Sequence, residues 1–273
     1  MIEAPYPELG ELLVLMGEAS RRMSEIEATE GAAGNISVCM GWQIDPRRVF
    51  PIEQTVPLPE TAPELAGKSF LVSGSGRRLR EIIDNPAANL GFLCVNEGGE
   101  TAQLFTAASR LFERLTSEFN SHLAVHRDQV RLTGTNFHAV VHAQPPYLTY
   151  LSHIARYRDE RRLNQHLLRW QPETIVNLPE GIGVVPFTLP GSPALMSATV
   201  ASLRTHRIVL WAKHGVIARS DVSVKRAADR VEYAETSARY EYMNLTNHEA
   251  AEGLSVEEIR SICAAFGVQQ GIF

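Results

Sequence analysis

Two apolar runs end in histidine: Val140-Val141-His142, and Val209-Leu210-Trp211-Ala212-Lys213-His214. Each run reads as a buried strand, and each histidine is followed by a turn, at Pro145-Pro146 and at Gly215. Imidazole is the commonest metal ligand among side chains. In α/β folds, ligands gather where strands end along one edge of the sheet. The two histidines therefore either share a metal ion or sit hydrogen-bonded in their loops. Side chains alternate across a strand, so an H-x-H pair would put two imidazoles on one face. The second position of that pair is here Gln144.

The stretch Thr116-Ser117-Glu118 precedes a predicted helix over TSEFNSHLAVHRDQVR, with Thr116 or Ser117 as N-cap and Glu118 in the first turn. A carboxylate is favoured there by the helix dipole alone. The same terminus offers N–H groups and hydroxyls to a phosphate, and a carboxylate beside it can act as a base. Glu118, His122 and His126 recur four residues apart on one helical face, and surface or packing roles are the simpler reading for that face. SGSG (73–76) and Gly34-Asn35 are turns of the kind that present backbone N–H groups to anions, though each alone is a weak signal. GxxxxGK[ST] and G-x-S-x-G are missing, so neither a nucleotide P-loop nor the usual elbow of a hydrolase nucleophile is present.

The elements that position these residues alternate between types. Residues 7–27 have a helical apolar period. NISVCM and SFLVS read as strands, RRLREIIDNP as a short helix, and LGFLCVNEGGE with TAQLFT as a hairpin. The Pro-rich, acidic segment 43–66 reads as a loop with extended pieces. TIVNLP and GIGVVPF are predicted strands, and 193–205 a helix. A long helix runs through SDVSVKRAADRVEYAETSARYEYM with Val224, Ala228, Val231, Ala234 and Ala238 on one stripe. VEEIRSICAAFG forms a small terminal helix, and RYRDERR (156–162) a solvated helical face. No repeat and no linker divides the chain, which predicts a single α/β domain over 1–273 with a layered sheet core.

Composition is that of an ordinary globular protein, with 44% hydrophobic and 21% charged residues. A formal net charge of −5 gives no general attraction to nucleic acid or anionic membranes. No apolar run approaches a membrane span, and MIEAPYPELGEL lacks the basic start of a signal peptide. Cys39, Cys94 and Cys263 are odd in number and far apart, which fits neither a disulfide framework nor a zinc finger. A cytoplasmic setting is expected.

The order of motifs is more specific than any one of them. AGNIS, LVSGSG, NPAANLG, TSEF..HL, VVHAQPP, PEGIGVVPFTLPG and WAKHGVIA with its long following helix resemble the class II aldolase/adducin family over residues 7–270. Within it, the chain is most similar to the bacterial rhamnulose-phosphate aldolase branch. The resemblance implies a three-layer αβα fold with a central, mainly antiparallel sheet, assembled as a homotetramer with active sites between subunits. It implies a Zn²⁺ ion at His142, Gln144 and His214, a catalytic carboxylate at Glu118 and a further acid at Glu173. It implies phosphate binding by Gly34, Asn35, Ser75, Gly76, Thr116 and Ser117. The implied reaction is retro-aldol cleavage of a ketose 1-phosphate, with L-rhamnulose 1-phosphate giving dihydroxyacetone phosphate and L-lactaldehyde. The metal acts as the Lewis acid that stabilises the enediolate, and Glu118 moves the proton. A related aldolase or epimerase acting on another sugar phosphate, and a non-catalytic adducin-like scaffold, are the alternatives.

Two residues depart from the family pattern. Gln144 stands where the second histidine of H-x-H belongs, and an amide oxygen is a harder, weaker ligand than imidazole. It ligates a looser zinc or a harder ion such as Mn²⁺ or Mg²⁺, stands back for water or substrate, or marks a lost metal. Ala32 replaces an asparagine near the phosphate.

Overall fold

The computed structural model describes residues 1–247 and 250–273. The strands are β1 (Asn35–Met40), β2 (Ile52–Pro57), β3 (Ser69–Ser73), β4 (Leu90–Val95), β5 (Thr101–Thr106), β6 (Phe137–Ala143), β7 (Gly183–Val185), β8 (Ile208–Trp211) and β9 (Gly215–Ser220). They form one sheet in the order β2-β5-β4-β3-β1-β6-β9-β8-β7. Every pairing is antiparallel except β7 with β8. The helices are α1 (Leu9–Glu25), α2 (Pro86–Asn89), α3 (Phe119–Thr133), α4 (Pro146–Leu151), α5 (Glu160–Leu167), α6 (Pro172–Asn177), α7 (Pro193–Leu203), α8 (Val224–Thr246) and α9 (Val256–Phe266).

Alternation along the central strands divides the core into two layers. Ala139, Val141 and Ala143 of β6 face the cluster that includes Met16 of α1 and Val231, Ala234 and Ala238 of α8. Val140 faces the opposite cluster with Val125 of α3 and Leu195 of α7. The predicted stripe of α8 is buried throughout. Helices thus cover both faces of a mainly antiparallel sheet, the arrangement expected from the sequence.

The differences are local. TIVNLP does not form a strand, because Thr174–Asn177 belong to α6. Pro172 at the first helical turn and Glu173 beside it are strong helix-start signals, and α6 packs on α8 and α9 rather than on the sheet. Gly215–Ser220, unassigned from the sequence, is β9. It is buried on both faces, so it lacks the alternation that marks a half-exposed strand. RRLREIIDNP holds a 3₁₀ turn, Leu79–Glu81, rather than a helix stopped before Pro86, and Pro86 instead opens α2. In the segment 43–66, one extended piece becomes the exposed edge strand β2. Within RYRDERR, the arginines are exposed while Tyr157 is fully buried.

Candidate active site

The site lies at one edge of the sheet, where strand ends converge. Asn35 opens β1 and is the register partner of His142 near the end of β6. Ser73 closes β3, which runs antiparallel to β1 and so ends beside its start. His214 lies in the tight turn between β8 and β9, where Trp211 is paired with Gly215. Thr116-Ser117 leads into α3, and Thr116 N–H donates to Ser73 O at 3.0 Å.

Glu118 is not within the first turn of α3 but is its N-cap residue, and its side chain makes no capping bond. The carboxylate instead turns inward. Asn35 Nδ2 donates to Oε2 at 2.7 Å. His142 Nε2 lies 3.3 Å from Oε2 and His214 Nε2 lies 3.6 Å from Oε1. His142 Nδ1–H donates to Val216 O at 2.8 Å, which fixes the ring and aims Nε2 at the carboxylate. Trp211 stacks on His214 with ring centres 5.2 Å apart and lies 4.8 Å from His142. Its Nε1–H donates to Thr199 Oγ1 at 2.8 Å, so both imidazoles lean on an anchored indole.

Burial pushes the Glu118 carboxyl up, but the His142 ring, the Asn35 amide and the His214 ring together outweigh it and hold it below the ordinary carboxylate value. Burial and the neighbouring His142 pull His214 down to about 4, against the opposing pull of Glu118. A neutral His214 and an ionised Glu118 are the forms that can bind a cation and accept a proton.

The donor set suits a divalent ion. One ligand atom each from Glu118, His142 and His214 lies within 4.8 Å of the others, and His214 Nδ1 is a buried ring nitrogen with no partner among the described residues. Gln144 lines the same cavity, on the strand face of His142 as period two requires. Gly215 permits this approach, since a Cβ there would lie 2.4 Å from Ala143 O, 3.0 Å from Gln144 Cγ and 3.2 Å from His142 Cε1. Gly215→Ala is therefore expected to weaken divalent-metal binding by about 10–100-fold, the range found when groups that orient metal ligands are lost. Wild-type affinity in a Zn²⁺ titration of that variant would contradict it.

The cavity measures about 220 Å³ and is lined by Glu118, His142, Gln144 and His214 together with Gly34, Asn35, Ser75, Gly76, Thr116 and Ser117. Gly34 takes a φ of +82, and a Cβ there would press on Thr29 and on His142 O, so the turn needs glycine. Ser75 N–H donates to Arg114 O at 2.8 Å and Thr116 N–H to Ser73 O at 3.0 Å, so both amides are already engaged, and Thr116 Oγ1 accepts from Glu118 N–H at 3.4 Å. Ala32, Ala33, Gly74, Arg77 and Pro190 complete the wall.

The structure brings together every candidate site residue except Glu173. Glu173 is exposed on α6 and does not line the cavity, so a part for it in this site requires a second copy of the chain. Sequence reasoning missed Trp211 and the Asn35–Glu118 bond. The spacing of Trp211 and His214 around a strand end was the available signal for the former. Nothing local signalled the latter, which joins residues 83 positions apart.

Comparison with known proteins bears on the family and the fold. A sequence profile of the family described as "Class II Aldolase and Adducin N-terminal domain" matches residues 14–242. A rhamnulose-1-phosphate aldolase of Yersinia pestis (strain Pestoides F) is 29% identical over 242 residues, covering 88% of this chain and 87% of that protein. The crystal structure of a sugar-phosphate aldolase from Thermotoga maritima superposes with a TM-score of 0.75 at 26% identity, covering 89% of this chain and 98% of that one. An L-fuculose-1-phosphate aldolase from Thermus thermophilus shares the fold, with a TM-score of 0.56 at 19% identity over 88% of this chain and 98% of its own.

Proposed function

Since the chain belongs to the class II aldolase and adducin family, we propose that it cleaves a ketose 1-phosphate between C3 and C4, with L-rhamnulose 1-phosphate as the substrate. The products are dihydroxyacetone phosphate and L-lactaldehyde. An aldolase-type lyase of the rhamnulose- and fuculose-phosphate kind is supported by the family and by its aldolase relatives. The observation that carries the reading is the Glu118 carboxylate set between two imidazole Nε2 atoms, in a cavity shared with hydroxyl-bearing turns.

His142 and His214 would hold a divalent ion, with Gln144 beside them and the Glu118 carboxylate within reach. When bound, that ion supplies the positive charge that acidifies a carbon next to a carbonyl. The chain's own groups do the rest. Glu118, ionised, takes the proton from the C4 hydroxyl as the C3–C4 bond breaks, releasing the aldehyde. The same carboxyl then returns that proton to C3 of the enediolate, giving dihydroxyacetone phosphate. Asn35 fixes the carboxylate by its 2.7 Å bond. The hydroxyls of Ser75, Thr116 and Ser117 and the turns at Gly34-Asn35 and Gly76 receive the phosphate. Pro190 lines the cavity, and Trp211 backs the two imidazoles.

The same reading takes residues 1–273 as one domain working in a cytoplasmic homotetramer, with Glu173 reaching the site of a neighbouring copy. No helix among the described residues is long and apolar enough to cross a membrane. Gln144 favours an ion harder than Zn²⁺, such as Mn²⁺ or Mg²⁺. The Ala32 methyl in the cavity wall favours a second reading, in which the substrate is another sugar phosphate.

A coupled assay for dihydroxyacetone phosphate over a panel of ketose phosphates tests this. Activity is expected with rhamnulose 1-phosphate, to be abolished by chelation, and to return with Mn²⁺, Co²⁺ or Zn²⁺. No product from any member of the panel with any of these ions would overturn the reading.

A further inference from the structure

One layer behind the site, three buried histidines are joined through a serine. Ser37 Oγ lies 2.7 Å from His122 Nδ1 and 2.7 Å from His126 Nε2, and His126 Nδ1 lies 2.8 Å from His138 Nδ1. All four side chains have zero exposure. The reaction described above uses none of them. His122 and His126 belong to α3, Ser37 to β1 and His138 to β6. These are the same three elements that carry Glu118, Asn35 and His142.

The links have a countable proton order. Burial holds His122 and His138 down to about 3, with the charges of Arg219 and Arg230 adding to it at His138, and burial lowers His126 as well. Each ring is therefore neutral and carries one proton. With the Ser37 hydroxyl there are four protons for three links. With Ser37 O–H donating within the chain, the fourth sits on the Nε2 at one end, on His122 or on His138, and neither atom has a partner among the described residues. The charges of Arg219 and Arg230 bear on His138. A guanidinium does not lose its proton, so a bare lone pair is the favoured form at that end. The order that follows has Ser37 O–H donating to His122 Nδ1, His126 Nε2–H donating to Ser37 Oγ, and His138 Nδ1–H donating to His126 Nδ1. The surplus proton lies on His122 Nε2, one helical turn from Glu118.

Apolar side chains could pack α3 on the sheet, but they would tolerate sliding. Directional bonds in a dry interior specify one register. We propose that His122, Ser37, His126 and His138 form a proton-ordered positioning chain that locks α3 to β1 and β6 and so holds Glu118 against Asn35 and His142. The functional half of this proposal rests on Glu118 as the acid/base of the reaction above.

Neutron diffraction from crystals of the metal-loaded full chain exchanged into D₂O reads the order directly. Deuterium is expected on His122 Nε2, His126 Nε2 and His138 Nδ1, and on no other nitrogen of these rings. The reverse order, or a doubly deuterated ring, overturns the chain as described. Ser37→Ala is expected to lower kcat about tenfold, because small misplacements of a catalytic group are amplified in rate. KM and metal content should stay unchanged, and Ser37→Thr, which keeps the hydroxyl, should recover most of kcat. Wild-type kcat in Ser37→Ala overturns the positioning role. If Ser37→Ala does not fold, the neutron result on the unaltered protein still decides the chain. Expected deuterons in a protein inactive on every sugar phosphate would sink the aldolase reading and leave the proton order standing.

Discussion

Glu118→Gln is expected to lower kcat by about 10²–10⁴-fold, the usual contribution of a positioned acid/base, with metal content unchanged. The substitution keeps the shape of the side chain and leaves an oxygen to accept from Asn35 Nδ2, a bond of 2.7 Å in the native protein. It removes the charge and the basicity. Glu118 is buried, yet its neighbours hold its pKa below the ordinary carboxylate value, so at neutral pH it is ionised and ready to take a proton. An amide at that place can hold its neighbours but cannot accept the C4 hydroxyl proton. Turnover within a few-fold of wild type would remove Glu118 from the proton transfer. Loss of metal together with rate would instead make the carboxylate a ligand, as its approach to His142 and His214 allows. Steady-state kinetics and elemental analysis of the same preparation separate these outcomes.

Gln144→His is expected to raise Zn²⁺ affinity by at least about tenfold, the lower end of what even an orienting partner of a metal ligand contributes. Imidazole is a softer and stronger ligand for Zn²⁺ than an amide oxygen. Residue 144 follows His142 by two positions, so its side chain projects to the same face, and it lines the cavity with Glu118, His142 and His214. Its backbone is held too, Gln144 N–H donating to Ala28 O at 2.7 Å. Just beyond it, Glu235 accepts from Tyr147 N–H and Leu148 N–H, both at 2.9 Å, and so anchors the first turn of α4. A histidine introduced there enters a fixed frame. The preference between Mn²⁺ and Zn²⁺ should shift toward Zn²⁺ in the same variant. Competition titrations read both quantities, and affinities equal to wild type for both ions would place residue 144 outside the ligand set.

Much of the site is legible in the sequence because its parts are local. A strand that ends in histidine at a proline turn, a Thr-Ser-Glu helix start and glycine turns each occupy a few consecutive residues. Their order along the chain points to the family, and with it to the layered fold. The stripe Val224, Ala228, Val231, Ala234 and Ala238 marks the long helix, because one-sided burial imposes a helical period. Where burial has two sides the signal disappears, and so Gly215–Ser220 offers no alternation to read although it forms a central strand. TIVNLP misleads for the opposite reason. Its β-branched residues favour a strand, but its place against α8 and α9 makes it a helix.

Residue types and their spacing suffice to say which groups could do chemistry here: two strand-end histidines, a carboxylate at a helix start, hydroxyls and glycines in turns, and a glutamine at a ligand position. What each group faces is set by the three-dimensional fold alone. By spacing, Glu118 serves its own helix; in the folded chain it turns from the helix to Asn35, His142 and His214. His122 and His126, which share a helical face with Glu118 by spacing, instead join a buried chain with Ser37 and His138. The reason is physical. Helical spacing defines which residues share a face, but the pairing of β1 with β6 and the docking of α3 across them determine what that face meets. Those contacts join residues 85 and 89 positions apart, and no local pattern encodes them.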